Sequence, residues 1–284
     1  MNNHPIEPHP SLFIPDHCNM IAGLHRTTRL GIAAHQDDLE FMALEGIIAG
    51  LQNTDEWFGG IICTDGANSV RAGAYAHYDN AAMRQIRERE QEAAATIGKY
   101  AFVAQLGYAS AATKTAKLRT NLVADILRIL EQTQPNIVYA HNPFDKHPTH
   151  VAVCKATIEA ILLLPEAQRP QQLIGCELWR GLDWLPDSLK MIQDLTGHEV
   201  LAATLNAIFD SQISGGKRYD RAIEGRRLAN ATLLDAFQAD TVECCNIAID
   251  LTELIREPII PLALFVERTL NQFKQTISDT LSAV

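Results

Sequence analysis

The stretch Arg29-Leu-Gly-Ile-Ala-Ala-His35-Gln36-Asp37-Asp38-Leu39-Glu40 decides how the chain is read. Its apolar run, residues 29–34, has the length and composition of a buried strand, and the apolar-rich residues that follow predict a helix over about 40–51. His35, Asp37, Asp38 and Glu40 then fall on the turn at the strand's carboxyl end, where open α/β sheets place their ligand sites. One imidazole beside two carboxylates suits a divalent metal with a base next to it. A helix start alone also attracts acids, because its free N–H groups and dipole favour negative charge. A second cluster of the same chemistry is what separates the two readings.

Working outward, the next apolar run, 57–63, ends at the turn Thr64-Asp65-Gly66. A loop over 67–78 follows, with Arg71 as its only basic residue, then a helix over 79–97 capped by Asp79 or Asn80 and closed by Gly98. A strand over 100–106, a helix over 115–132, a break at Pro135 and a strand over 136–140 complete a β-α-β-α-β-α-β series. Such alternation predicts a Rossmann-like, doubly wound, mostly parallel sheet with helices on both faces. The fourth strand runs into His141-Asn-Pro-Phe-Asp145-Lys-His147-Pro-Thr149-His150, and a helix over 151–164 comes next.

Beyond it the pattern gives a strand over 172–179, an irregular stretch with a short strand over 181–194 and helical sequence over 198–213. The basic, glycine-rich loop Ser214-Gly-Gly-Lys217-Arg218-Tyr219 leads to a helix over 219–237, an apolar run after Val242 and a last helix near 261–281. Residues 1–27, with four prolines and His4, His9, His17 and His25, read as an irregular arm. Residues 28–284 read as a single α/β domain, with a metal-binding core over about 29–180 and a substrate-pocket or capping part over about 181–284.

Composition narrows the class. Of 284 residues, 47% are hydrophobic and 20% charged, the profile of an ordinary globular protein. A net charge of −10 leaves no positive field for a nucleic-acid backbone, although a local basic pocket for an anionic small molecule remains compatible with it. Six cysteines without CxxC spacing read as buried, reduced thiols. There is no basic segment followed by an apolar core at the N-terminus and no apolar run of membrane-spanning length, so a cytoplasmic protein without a membrane partner is expected. Homo-oligomerisation is left open.

Strands one and four would bring both clusters to one rim of the sheet. A catalytic zinc needs three nitrogen or oxygen ligands and one open position; His35, Asp38 and one histidine of the second cluster supply that number. Iron(II) suits the same donors. Asp37 is left over to deprotonate water, and a second histidine to polarise a carbonyl. Arg71, His141, Lys217 and Arg218 are the candidate substrate-binding residues, the last two for a phosphate or carboxylate. Asp65 and Asn68 are weaker candidates on the same rim, and Trp179 and Trp184 would serve either as a sugar-stacking wall or as core.

The residues also carry a family resemblance. Ala34-His35-Gln36-Asp37-Asp38-Leu39-Glu40 resembles the Ala-His-Pro-Asp-Asp-x-Glu signature of the LmbE-like, or PIG-L type, zinc-dependent N-deacetylases. His147-Pro148-Thr149-His150 is similar to their His-Pro-Asp-His motif, and the segment from Arg87 to Ala95 to their Arg-x-x-Glu-x-x-x-Ala helix. The resemblance implies Zn2+ held by His35, Asp38 and His150, with Asp37 as general base. His147 would steady the oxyanion or protonate the leaving amine. Gln36 departs from the family's proline. Thr149 departs from the aspartate that orients the catalytic histidine, and Asp145 is the nearest substitute for it. The expected function is removal of an acetyl or other acyl group from an N-acylated amine, an N-acetylglucosamine-type sugar or conjugate. The alternatives are a metal-dependent amidase for a non-sugar amine and a catalytically silent metal-binding scaffold. Glu40 matches the signature without a derivable role.

Overall fold

In the computed structural model, which describes residues 10–284, the arm is not irregular throughout. It contributes an edge strand, β1 (Ser11–Phe13), and a short helix, α1 (Met20–His25), capped by the Asn19 side chain on Ala22 N–H at 2.9 Å. His17 and His25 are exposed, as surface histidines should be; His4 and His9 lie outside the described residues.

The main series then runs β2 (Arg29–Ala33), α2 (Asp38–Met42), α3 (Leu44–Gln52), β3 (Phe58–Thr64), α4 (Asn80–Ile97), β4 (Val103–Tyr108), α5 (Ser110–Lys114), α6 (Ala116–Thr133), β5 (Ile137–His141), α7 (Pro148–Leu163) and β6 (Gln172–Cys176). The C-terminal part adds β7 (Met191–Asp194), α8 (Glu199–Ala207), α9 (Asp210–Ile213), α10 (Tyr219–Thr232), β8 (Cys245–Asp250) and α11 (Leu262–Ala283). The strand order is β1-β4-β3-β2-β5-β6-β8-β7. From β4 to β6 the neighbours are parallel, while β1, β7 and β8 join antiparallel at the edges. The expected fold class holds, and the chain reverses its winding between β2 and β5. Among the described residues no helix is long and apolar enough to cross a membrane.

Period-two alternation divides the central strands between two cores. Leu30 and Ile32 of β2, Ile61 and Cys63 of β3, and Val138 and Ala140 of β5 pack with α6 and α7. Ala33, Phe58, Ile62 and Tyr139 pack on the other face with α2, α3 and α8. Gly31 faces that side too, and a Cβ there would lie 2.5 Å from the Leu39 side chain. Its absence lets α2 settle close on the sheet, directly behind the motif.

Some boundaries differ from expectation. The helix over 40–51 is two helices, α2 and α3, parted at Ala43 (φ −115°, ψ 24°), where no proline or glycine announces a break. The helix predicted from residue 151 begins at Pro148, a residue that favours the first helical position because its missing N–H is not needed there. His150 therefore stands in the first turn of α7 rather than in a loop. The stretch 198–213 is likewise divided into α8 and α9, and α10 stops at Thr232, short of 237.

Candidate metal centre and active site

Parallel pairing of β2 with β5 sets the ends of both strands side by side at the switch in winding, the place where open α/β sheets bind ligands. His35 lies two residues beyond β2, Asp38 opens α2, and His150 rides on α7 behind β5. Their donor atoms converge. His35 Nδ1 is 3.2 Å from Asp38 Oδ2 and 3.2 Å from His150 Nε2, and His150 Nε2 is 3.4 Å from Asp38 Oδ2. Ligands about 2.0–2.1 Å from a tetrahedral ion stand roughly 3.3 Å apart, so these three atoms form one face of such a tetrahedron.

Their protonation suits the same purpose. Burial, with His141 adding to it, pushes the His150 ring down to about 3, leaving a neutral imidazole with a free lone pair. Burial works to raise Asp38, but His150, His141 and His35 outweigh it and hold the carboxyl well below its usual range. The set fits a divalent cation.

His141, a substrate-binding candidate in the sequence, lies in the interior. It is fully buried, stacks on His150 at 3.9 Å and accepts the Ala34 N–H on Nε2 at 2.9 Å. That nitrogen also faces Asp38 Oδ2 at 3.3 Å, so the same region offers a second donor group of Asp38, His141 and His150. His35, His147 and His150 form a further donor group there, and the His141 lone pair is already engaged by the backbone.

Asp37 adopts φ 83°, a left-handed conformation that costs a non-glycine residue on the order of 1–3 kcal/mol. Two side chains one turn apart on α4 hold it there. Arg87 donates to Asp37 Oδ2 at 3.1 Å and also to the Gln36 carbonyl, while Gln91 Oε1 accepts the Asp37 N–H at 3.3 Å. The Gln91 amide is oriented in turn by Glu40, whose Oε1 accepts from Gln91 Nε2 at 2.8 Å and from the Tyr100 hydroxyl at 2.7 Å. Glu40 thus acquires a role: it fixes the residue that fixes Asp37. Burial raises the Asp37 carboxyl above its ordinary range, against the pull of Arg87 and with a push from Asp38. Charged side chains on a helix usually face solvent, yet Arg87 is only 2% exposed. Its place in the Arg-x-x-Glu pattern was the one signal that set it apart.

Asp145 does not take the part expected of it. Its Oδ1 accepts the backbone N–H of His147 at 2.8 Å, while its Oδ2 faces His150 Nδ1 at 3.3 Å and accepts the Trp179 N–H at 3.0 Å. It steadies the His150 ring rather than that of His147. The position of the family aspartate, Thr149, is fully buried, and neither its hydroxyl nor His147 Nδ1 has a partner among the described residues. Burial, then His35, lowers the His147 pKa.

His147 shares a cavity of about 270 Å3 with His35, Asp37, Asp38, Lys217 and Trp179. The Lys217 amino group lies 5.3 Å from the centre of the Trp179 ring. In the loop that carries it, Gly215 packs on Ser211: a Cβ at Gly215 would meet the Ser211 carbonyl at 1.8 Å, so only glycine fits. Asn68 lines the same cavity, as does Tyr219, which the sequence reading passed over.

Two expected substrate residues are elsewhere engaged. Arg71 turns back on its own loop, donating to Tyr78 O at 2.9 Å and to Ala67 O and Asn80 Oδ1. Arg218 is exposed and paired with Asp220. Asp65 is bound to Arg84 at 2.8 Å, and Trp184 packs against Phe144 and Phe273.

The family model described as PIG-L, GlcNAc-PI de-N-acetylase, matches residues 30–161, which run from the second residue of β2 through most of α7 and include every residue of the donor triangle. This segment, a little under half of the chain, resembles the PIG-L family. Solved structures share the fold over more of the chain. The N,N'-diacetylchitobiose deacetylase of Pyrococcus horikoshii is 17% identical with a TM-score of 0.63, over 83% of this chain and 88% of that one. The conserved protein TT1542 of Thermus thermophilus is 17% identical with a TM-score of 0.61, over 84% and 98%. GalB, the 4-carboxy-2-hydroxymuconate hydratase of Pseudomonas putida KT2440, is 15% identical with a TM-score of 0.61, over 82% and 100%. No curated protein sequence matches the chain.

Proposed function

We propose that the chain is a zinc-dependent hydrolase that removes an acyl group from an N-acylated amine, with an N-acetylglucosamine-type sugar or conjugate as the amine. A hydratase and deacetylases share this fold, so the fold does not select the reaction. The observation that carries the reading is the donor triangle of His35, Asp38 and His150 with the uncoordinated Asp37 carboxylate held beside it.

A divalent ion bound there supplies Lewis-acid chemistry, polarising the acyl carbonyl and making water a nucleophile near neutral pH. Asp37 accepts the proton of the attacking water, and its raised pKa makes it a stronger base than an exposed carboxylate. Arg87 and Gln91 keep that carboxylate aimed while the proton moves. His147 faces the same cavity and donates to the developing oxyanion. Its low pKa makes its protonated form a ready acid for the leaving amine. Trp179 and Tyr219 offer aromatic faces to a sugar ring, and Lys217 and Asn68 polar groups to its substituents.

The test is release of primary amine from a panel of N-acetylated sugars and other amides by the zinc-loaded protein. Asp37→Asn should retain zinc and lose roughly 10²- to 10⁴-fold in kcat. His150→Ala should lose the zinc itself. Full hydrolysis by Asp37→Asn would remove the general base, and release only from non-sugar amides would exclude the sugar.

A further inference from the structure

Two cavities meet at Asp37 and Asp38, and their chemistry differs. The first, already described, is lined by Asn68, Ser69, Ser110, Gln212 and Lys217. The second, about 220 Å3, is walled by Phe41, Leu178, Ala222 and Ile223, with Lys146 and Arg226 also lining it. Trp179 and Tyr219 line both and stand between them. Phe41, Leu178 and Ile223 form a hydrophobic cluster of their own, apart from the two cores that pack the sheet. Apolar walls beside two carboxylates call for an apolar occupant, since only such a group gains by leaving water there.

The shape of an amide says which occupant. Its carbonyl carbon carries the nitrogen on one side and the acyl chain on the other, so the two substituents diverge from the reacting atom. An acetyl amide has one large substituent and needs one cavity. An amide with a large group on each side needs two, diverging from a common point, one polar for a hydroxylated amine and one apolar for an alkyl chain.

We propose that the acyl group removed is longer than acetyl and that its chain lies between Phe41, Leu178, Ala222 and Ile223. This inference rests on the deacylation reading above. The reaction is ordinary hydrolysis: the water oxygen bonds to the acyl carbon, the C–N bond breaks, and the nitrogen takes a proton, giving a fatty acid and a free amine.

The experiment compares N-acetyl-, N-butyryl-, N-hexanoyl- and N-octanoylglucosamine with the full-length, zinc-loaded protein, and adds Ala222→Phe and Ala222→Leu. Ala222 is an exposed position on α10 that faces the cavity, so a larger side chain fills the space without entering a core. In wild type, kcat/KM should rise by up to about fourfold for each methylene buried, reaching its maximum beyond acetyl. Both variants should move that maximum back toward acetyl. A profile that falls steadily from acetyl, or one that neither variant alters, overturns the proposal.

Calorimetric binding of acetate, butyrate, hexanoate and octanoate to the same proteins separates this inference from the reaction itself. If no amide is hydrolysed, the deacylation reading falls. The cavity assignment is then judged by whether hexanoate outbinds acetate and loses its advantage in Ala222→Phe. Equal affinities overturn it.

Discussion

Glu40 and Arg87 act on the same residue by different means, and the two can be told apart by measurement. Glu40 receives two buried donors, from Gln91 and Tyr100. Glu40→Leu leaves both without an acceptor at about 1–3 kcal/mol each, so its melting temperature should fall by several degrees. Glu40→Gln keeps an oxygen for both donors and should melt close to wild type; equal melting of the two variants would show the network to be idle. Arg87 acts through charge as well as contact. Its guanidinium opposes the rise that burial imposes on Asp37. Removing that charge raises the Asp37 pKa further, so the base is protonated at a higher pH. The acid limb of kcat/KM should therefore shift upward in Arg87→Met and stay near wild type in Arg87→Lys. A limb that does not move in Arg87→Met would take Asp37 out of the titration.

At the scale of elements, the decisive one is the turn from β5 into α7. Asp145 stands there with one oxygen on the His147 backbone and the other toward His150. Carboxylates behind a ligating imidazole fix its orientation, and losing one typically weakens metal binding 10–100-fold. Asp145→Asn should therefore weaken zinc affinity by that factor, as read by competition with a chelator. An effect on the pH profile of His147 with zinc affinity intact would restore the role first expected of it. Sequence could place this turn but not resolve it. Apolar alternation brought β2 and β5, and hence both histidine clusters, to one rim. It could not say that α7 begins at Pro148, which turns His150 inward, or which histidine an aspartate five residues away would face. Side-chain direction misled in the same way elsewhere. Arg71 sits in the expected loop yet closes on that loop's own carbonyls, and Arg87 has the charge of a surface residue while lying under the motif. Burial of a charged group depends on partners distant in sequence, Gln36 and Asp37 in this instance, and no local pattern carries that information.

At the scale of the whole molecule, the donor triangle joins the two halves of the parallel sheet. His35 and Asp38 belong to the β2 side and His150 to the β5 side, so any ion held by all three ties α2 to α7 across the point where the winding reverses. The burial of Asp38 is offset by His150, His141 and His35, which lie on both sides of that point. A ligand that binds the folded state alone stabilises it by mass action, about 2.7 kcal/mol at a hundred times its Kd. For a chain of this size that corresponds to roughly 5–10 °C in Tm. Zinc should raise the melting temperature of the chelator-stripped protein by that order. The same addition should leave His150→Ala unmoved, because two remaining donors cannot close the triangle, and Asp37→Asn should respond like wild type, because Asp37 is no part of it. A zinc-dependent rise in His150→Ala equal to that of wild type would place the ion elsewhere, and the group of Asp38 with His141 would then be the first to test by His141→Ala.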